Sequence, residues 1–261
     1  VVLHNHTMES TTRPASAFVN FANANFGYGK CIASCTQEEI LLMCCPEIMV
    51  GMLFIGKMSD ADAVNIKGVR RFTKYSGYLN SFACEGQVDN LDSNNSQGYI
   101  QSILTVDACY SNHFTTDMIE RDLSKAFYTF REHKQATNDQ YPVVSTGKWG
   151  CGVFGGLAPH KMVQQVLAAN LSNVDLDFSC FGDMEGCDRV LAAMNEHKPT
   201  AAKIANLLLI CRDRRDFVND AIAYISEPTK PAATKHADHE CAYLCDDKNK
   251  RNYSQYEKDI V

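Results

Sequence analysis

No apolar run in this sequence approaches the ~20 residues that a membrane-spanning helix needs. Its start also lacks the basic-then-apolar order of a signal peptide. It begins with Val1 rather than Met, as a fragment or a trimmed chain would. Positive charge is not in excess either: 25 Lys and Arg stand against 31 Asp and Glu, a net charge of −6. A general nucleic-acid-binding surface is usually basic, so direct DNA binding is not expected. A local pocket of backbone donors for an anionic polymer stays open.

An evenly spaced cysteine framework of the kind that staples small secreted domains is absent, although there are twelve cysteines. Cys44, Cys45, Cys109, Cys180 and Cys211 sit inside apolar runs, where a reduced cysteine behaves as a small hydrophobe. The expectation is a reducing, intracellular compartment, cytoplasmic or nuclear. With 261 residues, 45% of them hydrophobic and 21% charged, the chain can bury a full core as one large domain or one and a half.

Strand patterns at residues 1–7, 17–20, 66–72, 99–108, 143–146 and 176–181 are interleaved with helix patterns. The helix patterns start at Gln37 and at residues 47–54, 117–130, 160–171, 188–197, 200–212 and 216–224. Polar loops are expected at 86–98 and 132–141, and an aromatic turn at 75–78. This alternation predicts an α/β domain with helices on both sheet faces. A core of residues 1–227 is expected, followed by a polar extension or tail at 228–261.

Two glycine loops stand out. In the first, Phe21-Ala22-Asn23 leads through Gly27-Tyr28-Gly29 to a helix start at Thr36-Gln37-Glu38-Glu39. Glycine lets a ligand come close to backbone N–H groups, and the first turn of a helix suits a diphosphate. Two glutamates beside such a place suit acid/base work on a sugar. Thr36-x-x-Glu39 equally fits a capping box, with the glutamate reaching back to the N-cap backbone. The second loop has five glycines between Gly147 and Gly156, directly after a strand. Its natural guest is a diphosphate wrapped by the N–H groups of Gly150, Cys151, Gly152, Val153, Phe154 and Gly155, with the Phe154 ring free to stack. Tight corners without ligand also use such glycine runs, and from the residues alone Tyr78 and Trp149 read as core plugs rather than contacts. In the tail, His236, His239, Cys241 and Cys245 come near zinc-ligand spacing with irregular gaps, and no metal is assigned.

Taken together, these strings resemble the signature of poly(ADP-ribose) glycohydrolases. Phe21-Ala22-Asn23, then thirteen residues, then Gln37-Glu38-Glu39 is its first part. Pro46-Glu47, Tyr75-Ser76-Gly77-Tyr78, Val106-Asp107-Ala108, Thr146 through Gly156 and Phe181-Gly182-Asp183 follow in the same order. The resemblance implies a macrodomain-like three-layer α/β/α fold with a mixed central sheet. It implies hydrolysis of ribose–ribose glycosidic bonds in poly(ADP-ribose), without cofactor or metal, the acid needing a pKa raised by burial. By position, Glu39 matches the catalytic acid and Glu38 the glutamate that orients the ribose. Asn23 matches a ribose contact, Glu9 an adenine-recognising glutamate, and Tyr78 and Phe154 the aromatics lining the ligand. Gly27, Gly29 and Gln37 fall in the first motif and Gly150 to Gly155 in the diphosphate loop. Implied partners are poly(ADP-ribose), ADP-ribose and ADP-ribosylated proteins, with no membrane and with a larger assembly left open. Tyr28 replaces a middle glycine, Lys148 an asparagine, Leu157 an acidic residue and Asn20 an aspartate. A degenerate member that binds ADP-ribose or serves as a scaffold is the alternative.

Overall fold

The computed structural model describes residues 1–27, 35–88 and 100–228. Ala-Phe-Val-Asn-Phe-Ala forms β2 (Ala17–Ala22), buried on both faces as a central parallel strand is. It lies between β6 (Ile100–Asp107) and β7 (Val143–Gly147), parallel to both. Outward from these run β8 (Asp175–Ser179) and β1 (Val2–His4) on one side and β3 (Val64–Arg70) on the other. The order is β1-β8-β7-β2-β6-β3, parallel except for the antiparallel edge strand β3. A separate hairpin pairs β4 (Thr73–Ser76) with β5 (Ala83–Gln87).

Register assigns the helices to faces, because partners across a ladder point the same way. Phe18 pairs with Ser145 and Ile103, and on this face lies α1 (Gln37–Cys44). Ala17 pairs with Val144, so Thr146 shares the opposite face, and Thr146 Oγ1 donates to Gln165 of α3 (Ala158–Ser172) at 2.6 Å. Asn65 of β3, in register with Leu104 and through it with Val19, donates on that same face to Thr129 O of α2 (Thr116–Ala136). Against α3 pack α4 (Cys187–His197), α5 (Ala201–Ile210) and α6 (Phe217–Ser226). The fold is a three-layer α/β/α arrangement around a mixed sheet. Contacts group Val1–Ser226 as one compact unit.

α1 has only eight residues, too few to hold a helix alone. Ile40, Leu41 and Leu42 are buried with Phe26, Val69 and Ile103. Each such side chain contributes about 2 kcal/mol on burial, so tertiary packing fixes this helix and the two glutamates at its start. Pro46 ends it and opens a second helix, which is of the 3-10 type and spans Pro46–Leu53 where the pattern suggested a helix over 47–54. Tyr75 and Ser76 belong to strand β4 rather than to a turn, and Gly86 to β5, a strand that polar residues concealed. α2 continues to Ala136 through the expected loop, its last turn carrying His133 and Lys134 at the negative helix end. No helix among the described residues is long and apolar enough to cross a membrane.

Candidate functional site

Chain segments leaving the ends of β1, β2, β6, β7 and β8 meet the start of α1 around one cleft of 530 Å³. Ligands of open parallel sheets settle at such carboxyl edges. Thr7, Met8 and Glu9 follow β1, Phe21 to Asn23 end β2, Ala108 follows β6, Gly147 ends β7, and Lys148 to Phe154 follow it. Phe181 and Glu185 come after β8, and Tyr75, Gly77 and Tyr78 close the side.

Glu38 and Glu39 both line this cleft, in different surroundings. Glu38 is buried, 4% exposed. Its Oε2 accepts the Asn23 backbone N–H at 2.9 Å, while Oε1 accepts from Asn20 Nδ2 at 3.3 Å and from the Gly27 N–H at 3.4 Å. Loss of solvation outweighs these donors and pushes its carboxyl from 4.5 up to about 7. Glu39 is half-buried, and its Oε2 accepts the Thr36 backbone N–H at 2.9 Å and the Thr36 hydroxyl. The return contact of a capping box is therefore made, at a residue that also faces the cleft.

The other expected residues divide by what they touch. Asn23 lines the cleft, and its Oδ1 accepts the Asn25 N–H at 2.9 Å. Gln37 also lines it, but its amide clamps α1 to β2, accepting from the Phe21 N–H at 2.8 Å and donating to Val19 O at 3.0 Å. Gly27 stands behind the wall and serves Glu38. It has φ +107°, and an added Cβ would lie 2.6 Å from Met52 Cγ, so only glycine fits without adjustment. Glu9 reaches the cleft with its carboxylate engaged by the Tyr75 hydroxyl at 2.8 Å and by Arg71 at 3.1 Å. Tyr78 meets the edge of Phe181 at 5.7 Å. Gly29 and Tyr28, like His236, His239, Cys241 and Cys245 of the tail, lie outside the described residues.

The second glycine loop folds back on itself. Gly156 N–H donates to Gly150 O at 2.9 Å, Gly155 N–H to Gly152 O and Cys151 N–H to Lys148 O. Gly155 and Cys151 thus spend their donors inside the loop, and Gly155 is not in the wall. The N–H groups of Gly150, Gly152, Val153 and Phe154 find no acceptor among the described residues, and all four residues line the cleft. Gly150 has φ +72°, and a Cβ there would meet Ala108 Cβ at 2.5 Å. Burial pushes the Cys151 thiol up to about 12, so it forms a neutral wall. The Phe154 ring is not free, since it packs on Tyr110 at 5.2 Å. Trp149 is core, its indole N–H donating to Val106 O at 2.9 Å.

Beneath this loop lies a set of charged side chains. Asp107 of the Val106-Asp107-Ala108 motif pairs with Arg121 and Lys125, and Asp122 with Arg121 and Lys161. His113 Nε2 sits 2.7 Å from the Phe154 carbonyl, which can only accept, so this nitrogen carries the proton. Nδ1 then accepts the Cys109 thiol at 3.0 Å. Burial holds the Cys109 thiol up near 12 and lowers the imidazole, so both are neutral. Cys109, His113 and Asp122 are close enough together for a metal. Asp122 is already held by two cations, however, and the Lys161 ammonium is 3.6 Å from Cys109 Sγ, so an added cation would meet like charge. Nothing in the sequence pattern singles out Arg71, His113 or Glu185.

The family model described as "Poly (ADP-ribose) glycohydrolase (PARG), Macro domain fold" matches residues 1–188. Poly(ADP-ribose) glycohydrolase 2 of Caenorhabditis elegans is 33% identical over 223 residues, 79% of this chain and 46% of its own length. Poly(ADP-ribose) glycohydrolase 1 of the same organism is 30% identical over 210 residues, 73% of this chain and 26% of its own length. The chain spans less than half of either relative. A crystal structure of poly(ADP-ribose) glycohydrolase from Deinococcus radiodurans with ADP-ribose has a TM-score of 0.37 at 18% identity, covering 68% of this chain and 76% of that one. By the family match, which takes in most of the sequence, this chain belongs to the poly(ADP-ribose) glycohydrolase family.

Proposed function

We propose that the cleft takes an ADP-ribose unit of poly(ADP-ribose) and that the chain hydrolyses the ribose–ribose bond. One observation carries the reading: paired glutamates at the start of α1 share a cleft with a glycine loop whose free N–H groups suit a diphosphate. The diphosphate rests on Gly150, Gly152, Val153 and Phe154, and Tyr78 and Phe154 line the adjoining apolar wall. Glu9, ordered by Arg71 and Tyr75, stands toward the adenine, and Asn23 toward the ribose.

Accessibility divides the carboxylates. Glu39 is the more exposed of the two lining carboxylates, so it gives its proton to the leaving ribose oxygen as the anomeric C–O bond breaks. The sugar passes through an oxocarbenium-like state, and the resulting carboxylate takes a proton from water, whose oxygen bonds to the anomeric carbon. Glu38, fixed by three N–H donors, orients the ribose hydroxyls. Glu39 must leave Thr36 to do this, and that contact favours a second reading, an ADP-ribose reader without hydrolysis. Macromolecular partners under either reading are poly(ADP-ribose) and ADP-ribosylated proteins in an intracellular compartment.

The test is incubation with purified poly(ADP-ribose), with calorimetry against ADP-ribose alongside. Release together with binding supports the hydrolase, and binding without release supports the reader. Neither, from a folded chain, removes both.

A further inference from the structure

The charges facing the cleft are uneven. Glu9, Glu38, Glu39 and Glu185 line it, and among the described lining residues Lys148 is the one basic side chain. Arg71 answers Glu9, and burial disfavours charge on Glu38. A diphosphate brings two further negative charges, against which backbone N–H groups offer partial charges only. Lys148 sits in the glycine loop two residues before Gly150, with its carbonyl fixed by the Cys151 N–H at 3.1 Å. Its Nζ lies 2.5 Å from Glu185 Oε1, on a turn after β8 where Asp183 Oδ1 accepts the Glu185 N–H at 2.9 Å. The lysine is 19% exposed and the glutamate 43%, so the pair sits at the mouth in contact with water. Such a pair holds together weakly and exchanges partners at little cost.

We infer that Lys148 is a displaceable diphosphate-binding cation and Glu185 its competing counter-ion in the empty cleft. Resting on the ADP-ribose reading above, this gives the site a specificity device. The four-carbon stem lets the ammonium turn from the carboxylate to a phosphate oxygen when the anion settles on the loop. Glu185 then opposes binding, by occupying Lys148 beforehand and by facing the anion afterwards. A merely structural ion pair differs in sign, because losing either partner would then harm the site equally.

The experiment is calorimetry of ADP-ribose binding by the full chain, at low and high salt, for Lys148→Gln, Glu185→Gln and the double variant, with thermal unfolding to check each fold. Lys148→Gln is expected to weaken binding about tenfold at low salt and to flatten its salt dependence. Glu185→Gln is expected to tighten binding about threefold, and the double variant to lie close to Lys148→Gln. Weakening by Glu185→Gln, or unchanged affinity for Lys148→Gln, overturns the inference while ADP-ribose binding by the native chain upholds the site. No binding by the native chain overturns both.

Discussion

Glu38 and Glu39 follow one another in the sequence, yet a helix turns neighbouring side chains about 100° apart, so they meet different surroundings. Glu38 lies inward against Asn20 and the Asn23 and Gly27 N–H groups, and Glu39 stays half-open beside Thr36. The raised Glu38 carboxyl has a consequence for stability. Its folded pKa of about 7 lies above the ordinary 4.5, so the folded state binds this proton more tightly than the unfolded chain. That contribution is full below pH 4.5 and is lost as pH rises through 7, a span worth about 3 kcal/mol at most. Glu38→Gln cannot ionise, so its stability relative to the native chain should improve between pH 5 and pH 8. Urea unfolding at the two values checks this, and a constant difference would contradict the burial described. Gly27→Ala addresses the same carboxylate from behind. With φ +107° and Met52 in the way, it should lose about 2 kcal/mol and loosen Glu38. A melting temperature unchanged from native would rule this out.

At the scale of elements, the glycine loop depends on what lies under it. The Cys109 thiol donates to His113, and His113 donates to the Phe154 carbonyl, which ties down the backbone of the loop at that residue. His113→Ala should therefore weaken ADP-ribose binding about tenfold through loss of loop order, while Arg121→Ala should mainly lower stability by leaving Asp107 and Asp122 short of a partner. Equal affinity for His113→Ala and native would show that the loop holds its shape alone. Little of this support was legible in the sequence. His113 stands in a polar run with no periodicity, and the Gln37 clamp looks like any helix-start glutamine. The loop itself was legible, because four glycines within nine residues after the strand Val143–Gly147 mark a backbone that something approaches closely. Hairpin β4–β5 was not, since β5 is exposed along its whole length and lacks the apolar alternation that marks a half-buried strand.

For the whole molecule, strands alternating with helices sufficed for the α/β class, while the Tyr75 to Tyr78 side of the cleft comes from the hairpin region that the alternation does not mark. The pairing order β1-β8-β7-β2-β6-β3 was not written in any one stretch, because it depends on long-range contacts. The family signature located Glu38 and Glu39, but the cap that Thr36 makes to Glu39 and the burial that sets Glu38 apart needed three dimensions. Those two facts leave the central claim resting on one side chain. The most direct measurement is the rate of ADP-ribose release from poly(ADP-ribose) by the native chain and by Glu39→Gln, with ADP-ribose affinity measured on both. A loss of a thousandfold or so in rate with affinity kept within about threefold is the predicted result. Release at the native rate by Glu39→Gln would contradict the account and leave Glu39 as a helix cap.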